Sequence, residues 1–214
     1  ELFPMYGQRA ELMALWRGCE WKPLGEVCTM QSGKFNTKDC KPDCKVPFYS
    51  GKATNPSGCI DKVCFQSDSP YLIFIKDGGA GPGKYGDTIG ICKTYQVVGD
   101  SAGTSHVLAL FPTSICCVYL RLVLAHFRNQ LMDLAHYTTN LGVIRKSDLA
   151  SFKIPLPTAA IQQQCIAIFT AKEQHLQTLD ERIQREEQHI ADLQQLGKDV
   201  IAAFCNGGGA FICS

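Results

Sequence analysis

The most constraining feature of this sequence is a regular spacing of apolar residues along its C-terminal part. These residues recur at intervals of three, four or seven positions, which is typical of one long helix with a narrow apolar seam. The seam residues are Phe169, Leu176, Leu179, Ile183, Ile190, Leu193, Val200 and Phe204. Because a helix cannot bury its own seam, the pattern predicts a second helix packed against this one. The first seven of these seam residues, from Phe169 to Val200, are expected to form the contact.

The expected length of the helix favours a partner outside the globular part of the same chain. A helix over residues 161–204 would be about 65 Å long, whereas a globular region of residues 1–157 would measure on the order of 30–40 Å across. We therefore favour pairing with another chain or another domain over packing on the chain's own globular region. Lys172, Glu186 and Gly197 interrupt the seam, which lowers its stability but helps to fix the register.

The preceding residues show short strands, helices and turns instead. Strands are predicted over residues 71–75, 88–98, 105–111 and 141–144, and helices over residues 1–18 and 114–135. The expected fold class is α+β (α/β), with short twisted strands and peripheral helices followed by one long coiled-coil-type helix. The predicted organisation is an N-terminal helix over 1–19, a globular domain over 20–157, a long helix over 158–205 and a flexible tail over 206–214.

Charge is divided unevenly between these regions. Residues 1–157 carry 17 Lys and Arg against 13 Asp and Glu, a net charge of +4, whereas residues 158–214 carry 4 against 7, a net charge of −3. Residues 33–58 alone hold five Lys against two Asp, and three Pro exclude a continuous helix there. This excess favours an anionic partner for the globular region. An unevenly charged, solvated surface is the alternative.

The expected location is cytoplasmic. The sequence has no run of about 18 uncharged apolar residues that would predict a membrane span. Its first residues lack the layout of a signal peptide.

The twelve Cys residues leave two interpretations open. Cys92, Cys116 and Cys117 lie in apolar runs, where a reduced Cys acts as a small hydrophobic side chain. Four thiolates could instead bind zinc, although the spacing is looser than in the usual paired motifs. These candidates are Cys40, Cys44, Cys59 and Cys64. We favour reduced, mostly structural cysteines and expect no metal site.

No catalytic constellation is present, so we expect a non-enzymatic chain without a cofactor. The run from Gly78 to Lys84 resembles a phosphate-binding loop, which keeps a nucleotide-binding protein as an alternative. Tyr85, however, stands where that loop needs a Ser or Thr to hold magnesium. None of the five His residues is paired with a nearby acid at ligand spacing, and His106 lies in an apolar strand pattern that predicts a core residue.

The order of several short motifs resembles a known family. A Trp-Lys-Pro-Leu-Gly-Glu-Val run at 21–27 is followed by Gly-Lys at 33–34 and by the strand and glycine loop of 73–85. Later come Thr-Thr-Asn at 138–140, Asp-Leu at 148–149, Ile-Pro-Leu-Pro at 154–157, Gln-Gln at 162–163 and Ile-Ala at 166–167. Over about residues 20–204 the chain resembles the DNA-specificity subunit of type I restriction–modification systems, in a form with a single target-recognition domain.

The resemblance implies sequence-specific recognition of double-stranded DNA, which directs an associated methyltransferase, and in some systems a nuclease, to a bipartite site. Family members usually carry two recognition domains and two spacer helices, so one of each implies a half-subunit that forms a homodimer through its C-terminal helix. The cysteine content and the Gly-rich tail depart from the family. A divergent relative with a structural or assembly role, for example in a virion or scaffold, therefore remains the alternative.

The resemblance also implies a DNA-binding surface on the globular domain. The lysines are candidate phosphate contacts, and the polar or aromatic side chains are candidate readers of base edges. The phosphate candidates are Lys34, Lys38, Lys52, Lys76 and Lys84, and the base-edge candidates are Asn36, Thr37, Tyr49, Ser50, Tyr85 and Thr139.

Overall fold

The computed structural model describes residues 3–52, 54–79, 91–138 and 141–207. The chain divides into two compact units, residues 1–167 and residues 168–214. The helices are α1 (Phe3–Trp16), α2 (Leu24–Val27), α3 (Cys117–His126), α4 (Arg128–Asp133), α5 (Lys146–Ser151) and α6 (Ala159–Gly207), and a 3-10 turn covers Thr37–Asp39. The strands are β1 (Glu20–Pro23), β2 (Cys28–Ser32), β3 (Val46–Tyr49), β4 (Gly58–Ile60), β5 (Tyr71–Ile75), β6 (Asp77–Gly79), β7 (Thr94–Val97), β8 (Ala102–Gly103), β9 (Val107–Pro112), β10 (His136–Thr138), β11 (Leu141–Val143) and β12 (Lys153–Leu156). The α+β class expected from the sequence is confirmed.

A four-stranded antiparallel sheet in the order β2-β9-β5-β7 forms the centre of the first unit. All five residues of β5 are fully buried, because both faces of this strand are covered. On one face Tyr71, Ile73 and Ile75 join a core cluster with Phe48 and Phe65. Helix α3 packs against β5 and β7. The apolar run at 71–75 therefore is the buried strand that its composition predicts.

A two-stranded ladder joins the beginning and the end of the globular domain. Strand β1 pairs antiparallel with β12, with Glu20 opposite Leu156 and Trp21 opposite Pro155. The hydroxyl of Tyr119 donates a hydrogen bond to the carbonyl of Pro155 at 3.0 Å, and burial raises the pKa of this tyrosine. Two motifs more than a hundred positions apart in sequence thus form one element.

The predicted helix over residues 114–135 is wrong as a single helix. It is divided into α3 and α4 at Phe127, whose backbone angles are φ −90° and ψ 17°. The Phe127 ring stacks on Trp16 with 5.6 Å between centroids and meets Trp21 and Phe152 edge-on. This aromatic cluster explains why an apolar residue ends the helix here.

Two further differences concern strand positions. The predicted strand over 88–98 is confined to β7 in the described part, and residues 88–90 lie outside the described residues. Residues 33–58 are not only loop, because they contain β3, which pairs with β4 and with β8.

Two cysteines are bonded to each other, which corrects the expectation of reduced thiols for this pair. Cys44 and Cys59 form a disulfide with 5.4 Å between their Cα atoms. The bond removes two of the four thiolates on which the zinc alternative depends. Within the described ranges no group of three or more metal-binding side chains occurs. Cys40 and Cys64 are free.

In the second unit, residues 168–207 continue α6, the long helix predicted from the seam. Phe169 is buried and Leu179 is half-buried. The other seam residues are exposed, and Leu196 and Ile201 add two exposed apolar side chains near the end of the helix. Across the described ranges, no helix has the length and apolar character needed to span a membrane.

Candidate nucleic-acid interface

The lysine-rich segment, here residues 33–62, starts with a close approach to the backbone of β8. The N–H groups of Lys34 and Phe35 both donate to the carbonyl of Gly103, at 3.0 and 3.1 Å. A Cβ atom on Gly33 would lie 2.2 Å from the carbonyl oxygen of Thr104, so only glycine fits there. The segment therefore leaves the sheet at a defined point, with Lys34 exposed.

Lys34 and Lys62 flank the ring of Phe35. Their ammonium nitrogens lie 5.6 and 5.7 Å from the ring centroid, within the range of a cation–π contact. Two positive charges and an aromatic face on one surface suit contact with a phosphate backbone. The sequence interpretation missed Lys62, because only the fold brings it to a residue 27 positions earlier.

The next three sequence-predicted residues lie at the 3-10 turn, and all are exposed. Asn36 precedes the turn, and its N–H donates to Asp39 Oδ2 at 2.9 Å. Thr37 and Lys38 are the first two residues of the turn. All three side chains are thus exposed, as their choice as candidate DNA contacts assumed.

Tyr49 and Ser50, by contrast, are not exposed base-edge readers. Tyr49 is the last residue of β3, is 7% exposed and packs 6.0 Å from Tyr95, and burial raises its pKa. Ser50 is 3% exposed, and its hydroxyl lies 2.7 Å from that of Ser57. Both were selected as loop residues, but Tyr49 belongs to β3, Ser50 follows it directly, and the fold buries both.

Ser50 instead helps to build the loop that carries Lys52. Its N–H donates to Asn55 Oδ1 at 2.9 Å, and Asn55 Nδ2 donates to the carbonyl of Lys52 at 2.7 Å. Lys52 is exposed, as expected. Lys52 is therefore an exposed residue on a loop whose backbone is held by hydrogen bonds within the loop.

Lys76 is less suited to phosphate contact than the exposed lysines. Its side chain is 19% exposed and lies 3.4 Å from Asp77 Oδ1. Asp77 Oδ2 in turn is 2.7 Å from His106 Nδ1. His106 is an exposed turn residue paired with an acid, which corrects its expected place in the core.

A second His–Asp pair joins β10 to α5. His136 Nε2 lies 2.8 Å from Asp148 Oδ2, and this hydrogen bond lowers the pKa of Asp148. Two of the five histidines thus have an acidic partner, although no histidine is paired with an acid at ligand spacing in the sequence. Neither partner was visible in the sequence, since the contacts span 29 and 12 positions.

Three predicted residues, Lys84, Tyr85 and Thr139, lie outside the described residues. The chain enters both of these segments from one three-stranded sheet, β10-β11-β6. In its register Gly79 is opposite Leu141, and Leu141 is opposite Thr138. Strand β6 leads into the segment with Lys84 and Tyr85, and β10 leads into the segment with Thr139. These two strands thus lie on either side of β11.

The first unit is a mixed α/β fold with exposed lysines, and the chain continues into a long helix whose apolar seam is largely exposed. Residues 17–191 match the family model described as "Type I restriction modification DNA specificity domain". Because the match covers most of the sequence, the chain belongs to this family, and the resemblance inferred from the motifs is confirmed. The family is a specificity domain, so the chain is a non-catalytic member of its system.

Solved structures with the same fold agree with this assignment. The S subunit of the type I restriction–modification system from M. genitalium has 16% identity and a TM-score of 0.57, over 77% of this chain and 42% of that one. The HsdS subunit from Thermoanaerobacter tengcongensis has 17% identity and a TM-score of 0.56, over 82% and 46%. A structure concerning the assembly and conformational transition of the type I R-M system has 19% identity and a TM-score of 0.62, over 93% and 52%.

The chain therefore spans about half the length of the solved structures that it matches. At these identities the similarity establishes the fold alone. No curated protein matches the chain.

Proposed function

We propose that this chain recognises double-stranded DNA sequence-specifically and directs an associated methyltransferase, and in a restriction system a nuclease, to a bipartite site. The observation that carries the proposal is the family match over residues 17–191. The exposed lysines of the lysine-rich segment supply the positive surface that such binding needs.

In this proposal the surface residues have different roles. Lys34, Lys38, Lys52 and Lys62 contact phosphates, while Asn36 and Thr37, exposed beside them, reach base edges. Lys84, Tyr85 and Thr139 stay predicted contacts, and Lys76 is a weaker candidate because Asp77 compensates its charge.

The bipartite site requires two copies of the chain. One globular domain reads one half-site, and α6 pairs with α6 of a second copy to set the distance between the half-sites. The exposed apolar seam of α6 supports this arrangement. Homodimerisation through α6 is thus part of the proposal.

Selection of bound duplexes from a randomised pool, followed by fluorescence anisotropy, tests the function. Submicromolar binding of the selected duplex that weakens steeply with salt is expected. Exchanging Lys34→Gln together with Lys62→Gln should flatten the slope of log affinity against log salt by about two units, because each phosphate contact releases about one counterion.

Lys198→Gln together with Arg182→Gln is the matched control, because it also removes two positive charges, from the exposed part of α6, and should leave binding of the isolated duplex unchanged. Absent or salt-independent binding by the unmodified chain would favour the structural or assembly role. A slope that the double exchange leaves unaltered would remove the lysine pair from the interface.

A further inference from the structure

We propose that the disulfide between Cys44 and Cys59 is a reversible redox clasp, which holds the exposed lysines around it in their DNA-binding arrangement and releases them on reduction. The inference rests on the proposed DNA-binding function and adds regulation of that surface. It assigns a role to a covalent bond that DNA recognition by itself does not need.

The clasp fastens an irregular stretch of chain to a sheet. Cys59 lies in β4 opposite Pro47 of β3, so one end of the bond is fixed by strand pairing. Cys44 lies between the 3-10 turn and β3, in residues 40–45 that belong to no helix or strand. The bond closes a loop with a sequence separation of 15 that includes Lys45 and Lys52.

Other restraints on residues 40–45 are weak. The N–H of Lys41 donates to the carbonyl of Cys59 at 3.3 Å. The Lys41 ammonium lies 2.9 Å from Asp61 Oδ2, but the two side chains are 66% and 57% exposed, and such surface ion pairs stabilise little. Cys40 is held by its packing against the core cluster, but without the disulfide the ordering of residues 41–45 depends mainly on one long hydrogen bond.

The stretch also lies within the strongest concentration of positive charge. Residues 33–62 contain six Lys and three Asp, which gives a net charge of +3. This accounts for most of the net charge of +4 that residues 1–157 carry. Lys38, Lys41 and Lys45 are exposed at or beside the clasp. Lysines held in a fixed arrangement bind phosphates with a smaller loss of conformational entropy than lysines on a mobile loop.

The surroundings of the bond leave it open to a thiol reductant. Cys44 and Cys59 are both partly exposed, so a small thiol can reach their sulfur atoms. A cytosolic disulfide is usually transient and either catalytic or redox-sensing. The expected cytoplasmic location therefore agrees with a reversible role.

The chemistry needs a reductant, and a small dithiol supplies it. A thiolate of the dithiol attacks one sulfur of the clasp and forms a mixed disulfide, and its second thiol then displaces the protein sulfur. The bond between Cys44 and Cys59 breaks, both become thiols with the protons of the dithiol, and the dithiol becomes a cyclic disulfide. Two electrons pass from the dithiol to the protein.

Two measurements on the full chain, with and without dithiothreitol, test the clasp. Hydrogen–deuterium exchange should accelerate about tenfold or more in residues 40–45 on reduction and stay unchanged in β5, because only the loop loses its restraint. Affinity for the selected duplex should fall about three- to tenfold on reduction, since the lysines must then be ordered on binding.

Variants assign the effect to this bond. The double exchange Cys44→Ser with Cys59→Ser should behave as the reduced chain in both measurements and no longer respond to dithiothreitol. Cys40→Ser, which removes a free thiol of the same segment, should respond as the unmodified chain does. The reduced unmodified chain supplies the same comparison if the double variant does not fold.

Each of the other possible results of these measurements would contradict one part of the proposal. Equal exchange rates in the two redox states would show that the bond restrains nothing. Faster exchange with unaltered affinity would show that it does not control DNA binding. Faster exchange with no duplex bound in either state would refute the proposed function while leaving the restraint of residues 40–45 established.

Discussion

Gln162 is a polar side chain buried where the globular domain continues into α6. Its Oε1 accepts a hydrogen bond from the N–H of Cys116 at 3.0 Å, and its Nε2 donates to the carbonyl of Pro157 at 3.0 Å. The side chain thereby satisfies a backbone donor at the start of α3 and a backbone acceptor just before α6. A buried amide with both ends bonded fixes the position of the elements that it joins.

Gln162→Ala should lower the free energy of unfolding by about 1–3 kcal/mol, because it leaves two buried backbone groups without partners. Urea denaturation of the single variant provides the measurement. The neighbouring Gln163 is exposed, so Gln163→Ala should change stability by no more than about 0.5 kcal/mol. Equal losses in the two variants would mean that the buried hydrogen bonds of Gln162 add nothing to stability beyond what an exposed glutamine contributes, because Ala is the better helix former at both positions.

At the scale of elements, the position of the lysine-rich segment depends on the residues that follow β2, because they pack closely against the backbone of β8 and its neighbours. The chain passes from β2 to Gly33, whose N–H donates to the carbonyl of Val107 at 3.2 Å. Phe35 then forms an isolated bridge with Thr104. Since these contacts use the backbone, any side chain at position 33 displaces the whole start of the segment.

Gly33→Ala should therefore destabilise the chain by about 1–3 kcal/mol or more, because the added methyl group meets backbone oxygens that cannot move away. Thermal unfolding followed by circular dichroism measures the loss. Gly197→Ala is the matched control: a Cβ there meets nothing within 4 Å, and the exchange should stabilise α6 by about 0.8–1 kcal/mol. An unaltered melting temperature for Gly33→Ala would contradict the close approach described here.

At the scale of the whole molecule, the exposed seam of α6 is the feature on which the proposed homodimer depends. Leu176, Ile183, Ile190, Leu193 and Val200 are between 42% and 55% exposed within one chain. A monomer rarely exposes so long a row of apolar side chains. Glu186 and Gly197 interrupt this row of apolar residues and, in the proposed homodimer, would align the two helices in one register.

Ile190→Asp should weaken self-association at least about a hundredfold, because each dimer would bury two unpaired carboxylates at the helix contact. Sedimentation equilibrium over a range of concentrations measures the dissociation constant. Gln184→Asp introduces the same charge away from the seam and should leave it nearly unchanged. A chain that stays monomeric at all concentrations, with or without the exchange, would refute the homodimer while leaving DNA binding by single domains open to test.

Regular local patterns made much of this protein predictable from its sequence. The family was predicted correctly because its short motifs and their order can be read directly along the sequence. The strand at 71–75 and the long helix were predicted correctly, because apolar periodicity depends on neighbouring residues alone. Tyr49 and Ser50 were misjudged for the same reason. Their region has the prolines and lysines of a loop, and pairing of β3 with strands elsewhere in the sequence decides their burial.

The sequence by itself therefore determined the class of fold, the seam of α6 and the excess of positive charge in the globular region. Only the tertiary structure brought Lys62 beside Phe35, joined Cys44 to Cys59 and paired the two histidines with acids. Helix and strand periodicity are properties of a local stretch of chain, whereas these contacts depend on strand register and on turns that bring distant residues together.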